Sequence, residues 1–95
     1  MRFTWDGAKN VRNKRAHGLS FEQASELFTG SADYLEIFDE AHSHDEDRFI
    51  AIGPISRGVI VVVYTERDDD VIRIISARFA TTREAKMYPF YVGGR

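Results

Sequence analysis

The first third of the chain carries polar and apolar residues in the pattern of two short helices. Asp6 is a good N-cap, and it predicts a basic, polar helix over residues 7–16, which Gly18 ends in the left-handed geometry that glycine adopts easily. Ser20 begins a capping box and predicts a second helix that ends at Gly30. The apolar positions of this second helix recur at helical spacing, at Phe21, Ala24, Leu27 and Phe28. The two segments together predict a helical hairpin.

The remaining residues are patterned as strands, with one helix at the end. A short strand at residues 3–5 opens the chain, and four strands are predicted at 34–38, 48–52 (ended by Gly53-Pro54), 59–65 and 71–77, with a charged turn at 66–70. Thr81 begins a second capping box, and Pro89 predicts that the last helix ends near Tyr88. The sequence therefore predicts an α+β fold, in which a helical hairpin and a short C-terminal helix pack on an antiparallel sheet.

Composition narrows the class of protein. A chain of 95 residues, 43% of them hydrophobic, is expected to form one globular domain spanning residues 1–95. It has no cysteine, which excludes disulfides and thiolate metal sites. The longest apolar run, residues 59–64, is too short to cross a bilayer, and the first residues lack a signal-peptide pattern. We therefore expect a cytoplasmic protein that does not act at a membrane.

Charge is distributed unevenly along the chain, whose net charge is −2. Residues 1–30 carry five Lys/Arg against three Asp/Glu, and residues 48–95 carry eight against five. Residues 31–47 carry seven Asp/Glu and no Lys/Arg. A basic surface for nucleic acid can therefore exist on the folded protein in spite of its net charge.

The order and spacing of many residues resemble the BrnT family of toxins. The most specific stretch is IRIISARFAT, at residues 72–81, followed by Glu84 and Tyr88. The other matching positions are Trp5-Asp6, Lys9, Asn13, His17-Gly18, Ser20-Phe21, Ala24, Phe28, Glu46, Arg48, Gly53 and Arg67. The resemblance implies a RelE-like fold and a metal-free endoribonuclease that inhibits translation. It also implies neutralisation by a BrnA-like antitoxin with a ribbon-helix-helix portion, so that operator DNA is contacted only through the complex.

Metal-free RNA cleavage uses the 2′-hydroxyl of the substrate as nucleophile, and it needs a base, an acid and cations around the phosphate. No cofactor is expected. The candidate catalytic residues are His17, Arg67, Arg78 and Glu84, and the candidate substrate-binding residues are Lys9, Arg15, Arg48, Arg73 and Tyr88. Histidine suits proton transfer near neutral pH, and the planar fork of arginine can bond two phosphate oxygens. Strand alternation places Arg73 with Ile75 and Ala77 on one face, opposite Ser76.

Structural roles are open for the same residues. His17 could simply stabilise a helix C-terminus, Glu84 could be the acid of its own capping box, and Tyr88 could pack on the sheet. Arginines on a solvated sheet face could pair with nearby acids, and a basic stripe through Lys9 and Arg12 could be a solvated helix face.

Two further features leave alternatives open. Ala16 stands where the family pattern has lysine, so a catalytically weak chain that serves mainly in an autorepressing DNA-binding complex is the alternative function. His42 and His44 lie beside acids, but no other ligand cluster supports a metal site, so none is predicted. A DNA-binding regulator without catalysis is least favoured, because the second helix is acidic and apolar.

Overall fold

The chain forms a five-stranded sheet with helices packed on it, as the predicted α+β class requires. The computed structural model describes residues 1–68 and 70–88. The elements are β1 (Arg2–Thr4), α1 (Gly7–His17), α2 (Phe21–Ala24), α3 (Glu26–Thr29), β2 (Leu35–Phe38), β3 (Phe49–Ile55), β4 (Gly58–Arg67), β5 (Val71–Phe79) and α4 (Thr82–Tyr88). A single 3₁₀ turn, Glu40–His42, lies between β2 and β3. The predicted domain includes residues 89–95, which lie outside the described residues. The prediction that Pro89 ends the last helix also falls on a residue outside that range.

The strand order is β1-β5-β4-β3-β2. The predicted antiparallel sheet is confirmed for the last four strands, because β2, β3, β4 and β5 pair antiparallel in sequence order. β1 adds to the far edge in parallel with β5, and Thr4 lies opposite Arg73 at its end. The sequence had not indicated this parallel pairing, because three residues carry too little pattern to specify a partner strand.

One face of the sheet, here called the core face, is covered by α1, α2 and α3. It presents Ile60, Val62 and Tyr64 of β4, all of them inaccessible to solvent, and the helices pack Leu19, Phe21 and Leu27 against them. Helix α1 contacts β5, and α3 contacts β3, so the helices cross the sheet from one side to the other. The hydrophobic residues of α2 and α3 recur at helical spacing, which places them on the side of each helix that faces the sheet.

Helix α1 begins and ends as its sequence predicts. The Asp6 carboxylate accepts the amide hydrogens of Ala8 and Lys9, and those contacts lower the pKa of its carboxyl group. Gly18 has φ +68°, a left-handed geometry that ends the helix. Ser20 and Gln23 form the predicted capping box.

The predicted continuous second helix is wrong, because it is interrupted at Ser25. The Ser25 hydroxyl donates to the Glu22 carbonyl (2.7 Å), a local bond that competes with the helical ladder. The segment therefore forms two single-turn helices, α2 and α3.

Strand β3 does not end at Gly53-Pro54 but continues through both residues to Ile55. Ile55 and Gly58 close the hairpin to β4, and alternation from this pair directs the backbone nitrogen of Pro54 away from β4. β2 pairs with β3 only as far as Ile52, so no ladder bond needs the N–H that proline lacks. Gly53 is required because a Cβ there would lie 2.7 Å from Leu27 Cδ1.

Strands β4 and β5 are each longer than predicted, and only residues 68–70 lie between them. Asp68 and Asp70 have positive φ (48° and 71°), which aspartate tolerates in tight turns. Asp69 lies outside the described residues. The helices of the described chain are all too short and polar to span a membrane.

Candidate active site

Four arginines point from the face of the sheet opposite the core face, here called the arginine face. Strand register assigns them: Arg2 of β1 and Arg67 of β4 both lie opposite Val71, Arg73 lies opposite Thr65, and Arg78 lies opposite Val61. Arg67 and Arg73 are diagonal neighbours on adjacent strands, a spacing that places their Cβ atoms about 7–8 Å apart. The structure thus brings three of the five arginines in the candidate set, Arg67, Arg73 and Arg78, onto one face.

The predicted alternation of β5 is wrong after Ile74, because the strand contains a β-bulge. Val63 lies opposite Ser76 and Tyr64 lies opposite Ile74, so Ile75 has no partner on β4. Past the bulge the faces exchange: Ala77 lies in the core with Ile74, and Arg78 joins Arg73 on the arginine face. Without this extra residue Arg78 would point into the core.

Arg78 and Glu84 form an ion pair with two hydrogen bonds, between β5 and α4. The guanidinium Nη1 and Nη2 atoms lie 2.7 and 2.8 Å from the carboxylate oxygens. Arg78 lowers the pKa of Glu84 to about 2, and Glu84 raises the pKa of Arg78. Glu84 also accepts the Thr81 amide hydrogen (2.9 Å), which confirms the predicted capping box. At neutral pH Glu84 is therefore an ionised group that orients Arg78, and it has no proton to donate.

A shallow groove of about 290 Å³ runs between α1 and β5, and is called here the α1–β5 groove. Its lining is Lys9, Arg12, Asn13, Ala16, His17 and Ile75. His17 is the last residue of α1 and is exposed, so its imidazole is accessible to a ligand. Ile75 is the bulged residue, two positions after Arg73 and three before Arg78. The groove therefore meets β5 at the bulge, beside α1, whereas Arg73 and Arg78 point to the other face of the strand.

Arg67 and Arg48 lie at the end of the sheet where β4 finishes, and both have Glu46 as a neighbour. Arg67 forms an ion pair with Glu46 (3.0 Å), and Glu46 and Arg48 together line a second cavity of about 290 Å³ with His42, His44 and Asp45. The Nε of Arg48 is buried without a hydrogen-bond partner. No group of three or more His, Cys, Asp or Glu in residues 1–68 and 70–88 is arranged to hold a metal ion.

The structure separates Arg15 from the α1–β5 groove: it is exposed on α1 but is not among the residues that line the groove. Tyr88 is half-buried at the end of α4, one turn after Glu84. The candidate set had omitted Arg2 and Arg12. The spacing of Arg12, three residues after Lys9, was the signal for it, whereas Arg2 had no signal because the partner of β1 was unknown.

A small α+β fold with a cationic sheet face and a histidine-containing groove defines a protein built to bind a polyanion such as RNA. The comparisons give the family. Residues 5–84 match the model of the family described as "Ribonuclease toxin, BrnT, of type II toxin-antitoxin system", and the chain belongs to this family. The resemblance stated from the sequence is thereby confirmed.

A solved structure agrees with this assignment. The chain is similar to the crystal structure of the Brucella abortus ribonuclease toxin BrnT, with a TM-score of 0.64 and 27% sequence identity. The similarity covers 86% of this chain and 99% of that one. A comparison with curated protein sequences found no match. Membership of a type II toxin family implies an antitoxin partner and an RNA substrate.

Proposed function

We propose that this chain is a toxin that cleaves RNA without a metal ion, inhibits translation in the cytoplasm and is neutralised by a BrnA-like antitoxin. The observation that carries the proposal is the placement of Arg67, Arg73 and Arg78 on one sheet face, with the His17 groove opening on the same strand. Guanidinium groups bind phosphate oxygens two at a time, so this face suits a phosphodiester.

In the proposed reaction His17 takes the proton of the substrate's 2′-hydroxyl, and the 2′-oxygen attacks the neighbouring phosphorus. The bond from phosphorus to the 5′-oxygen breaks, the leaving oxygen takes up a proton from water, His17 returns its proton to the resulting hydroxide, and the products are a 2′,3′-cyclic phosphate and a 5′-hydroxyl. Arg78 stabilises the charge that develops on the phosphate, with Glu84 holding its guanidinium in place. Glu84 is accordingly a positioning residue in this proposal.

The other cations bind phosphates on either side of the cut. Lys9 and Arg12 follow the backbone along the α1–β5 groove, and the track continues around the edge of β5, which β1 leaves uncovered past Arg73, to Arg73 and Arg67 on the arginine face. Arg48 and Tyr88 remain candidates for contacts at its two ends. Arg15 is assigned only a long-range contribution, since it lies outside the groove.

The test is cleavage of an end-labelled RNA by the purified chain in EDTA. We expect 2′,3′-cyclic phosphate ends, and we expect His17→Gln to lower the rate by about 10²–10⁴-fold. Lys14→Ala is the matched control, because Lys14 is an exposed cation of α1 outside the α1–β5 groove. A His17→Gln variant that cleaves at the parental rate would exclude His17 as the base.

The second candidate function is a weakened toxin that serves mainly in an autorepressing complex with its antitoxin. The position of Ala16 favours it, because Ala16 lines the α1–β5 groove, where the family pattern would supply a lysine. Growth arrest by the chain expressed without its antitoxin, at the level of the Ala16→Lys variant, would contradict this candidate. Operator binding by the complex, with no loss of RNA in cells, would support it.

A further inference from the structure

The strand at the outer end of the sheet, β2, presents an open backbone edge. It pairs with β3 on one side, and no described element pairs with it on the other. The Asp39 amide donates to the Arg48 carbonyl (2.8 Å). This hydrogen-bonded pair determines which residues of β2 bond to β3 and which point their backbone groups outward. Alternation then directs the N–H and C=O groups of Ile37 toward β3, and those of Glu36 and Phe38 outward.

Two large apolar side chains of β2 are exposed. Ile37 is 36% exposed and Phe38 is 48% exposed. The Phe38 ring packs edge-on against Phe49 (5.7 Å between centroids), and the Glu36 carboxylate accepts the hydroxyl of buried Tyr64. Contacts with β3 and β4 thus hold the two residues whose backbone groups point outward.

Electrostatics select the kind of chain that fits. The acidic segment, residues 31–47, carries seven Asp/Glu and no Lys/Arg. Two of these acids, Asp33 and Glu40, are exposed and lie two residues from the ends of β2, and Glu36 is an exposed residue of the strand itself. The same charge repels RNA, and it repels a second copy of this chain, whose own acidic segment would lie alongside in a β2–β2 pair. A basic segment with apolar residues beside Ile37 and Phe38 is complementary.

We infer that the outer edge of β2 receives an extended, basic and apolar segment of the antitoxin, which adds to the sheet as a sixth strand. This rests on the proposed pairing with an antitoxin, and it assigns that partner the edge of the sheet three strands away from β5, which carries Arg73 and Arg78. Main-chain bonds to Glu36 and Phe38 supply affinity, and the acidic flanks supply selectivity for a basic partner.

Amide hydrogen exchange on the isotope-labelled chain, alone and with the co-purified product of the adjacent gene, tests the inference. We expect the Glu36 and Phe38 amides to exchange fast in the free chain and slowly in the complex, and the Ile37 amide to exchange slowly in both. A complex in which the Glu36 and Phe38 amides still exchange fast would overturn the inference and leave the antitoxin pairing intact. Protection of both amides in the free chain would overturn it as well, since the edge would then be covered without the partner. Failure of the two proteins to associate would contradict the pairing itself, and the inference with it.

A pair of variants separates the backbone contact from the side-chain contact. Phe38→Ala removes the ring and keeps the outward N–H, whereas Phe38→Pro removes both and leaves the β2–β3 ladder bonds intact. We expect Phe38→Pro to bind the partner about 5–10-fold more weakly than Phe38→Ala, the loss that one hydrogen bond of about 1 kcal/mol causes. Equal affinities would contradict a main-chain bond at this residue.

Discussion

The side chain of Asn13 in α1 takes the place of a neighbouring strand for Ala77 in β5. Asn13 Nδ2 donates to the Ala77 carbonyl (2.7 Å), and Oδ1 accepts the Ala77 amide hydrogen (3.2 Å). Nδ2 also donates to the Leu19 carbonyl (2.9 Å). Because β1 ends opposite Arg73, this side chain completes the edge of β5 and sets the distance between the walls of the α1–β5 groove.

Replacing Asn13 by alanine should lower the free energy of unfolding by about 2–4 kcal/mol, because it leaves buried backbone groups without partners. Urea unfolding at neutral pH measures this. Lys14→Ala, the exposed neighbour on the same helix, should change stability by less than about 0.5 kcal/mol. A loss below about 1 kcal/mol for Asn13→Ala would mean that water replaces these bonds.

The ion pair between Arg78 and Glu84 should make stability depend on acid pH. The folded-state pKa of Glu84 is about 2, against an ordinary value of 4.5 in an unfolded chain, so its contribution is present above about pH 4.5 and is lost as the pH falls toward 2. Solvent screens the pair, since the side chains of Arg78 and Glu84 are 41% and 24% exposed. We expect the advantage of the parent over Glu84→Gln to shrink by about 1–2 kcal/mol between pH 6 and pH 2.5. A constant difference across this range would contradict the assigned pKa.

Removing one phosphate contact should weaken the salt dependence of RNA binding. In a His17→Gln background, Arg73→Ala should lower the slope of log K against log salt by about 0.7, the share of one cation on single-stranded nucleic acid. Fluorescence anisotropy with a labelled RNA gives the slope. Lys14→Ala in the same background should leave it unchanged, and equal slopes for all three proteins would place Arg73 outside the RNA track.

Adding a lysine at position 16 should strengthen RNA binding. Ala16→Lys places a cation in the α1–β5 groove, and it should raise the same salt slope by about 0.7 and increase growth arrest. Val11→Lys is the matched control, because it adds the same charge to an exposed site of α1 (58% exposed) outside this groove. An equal gain in both variants would show that net charge alone is responsible.

Two glycines should respond oppositely to alanine. At Gly53 the new Cβ would lie 2.7 and 2.8 Å from Leu27 Cδ1 and Tyr34 Cβ, so overpacking should cost about 1–3 kcal/mol. At Gly7, in the first turn of α1, no atom lies within 4 Å, and Gly7→Ala should stabilise by up to about 1 kcal/mol. Thermal unfolding of both variants tests the packing assigned to β3, and destabilisation by Gly7→Ala would contradict the open surroundings of that residue.

The elements with strong local signals were predictable from sequence. Asp6, Gly18, Ser20 and Thr81 mark helix ends because their side chains, or the lack of one at Gly18, satisfy local geometry that no distant residue alters. The β-branched run of β4 was equally clear, because a strand buried on both faces needs such residues.

Two of the errors arose where distant residues decide. The bulge at Ile75 depends on register with β4, and it reverses which residues share a face with Arg73. Pro54 fits inside β3 only because β2 stops short of it. The candidate site was affected in the same way, since Arg2 enters it only through the pairing of β1 with β5.

The contacts of α1 and β1 with β5 also determine when the α1–β5 groove can form during synthesis of the chain. Asn13 and Ala77 are 64 positions apart, and β1 has no partner until β5 has been made. A ribosome releases the chain from its N-terminus, so α1 leaves the exit tunnel long before the wall of the groove that β5 supplies. An incomplete chain lacking residues 71–79 therefore has no groove and no Arg73 or Arg78. The arrangement delays assembly of the α1–β5 groove and of the arginine face until β5 has left the exit tunnel.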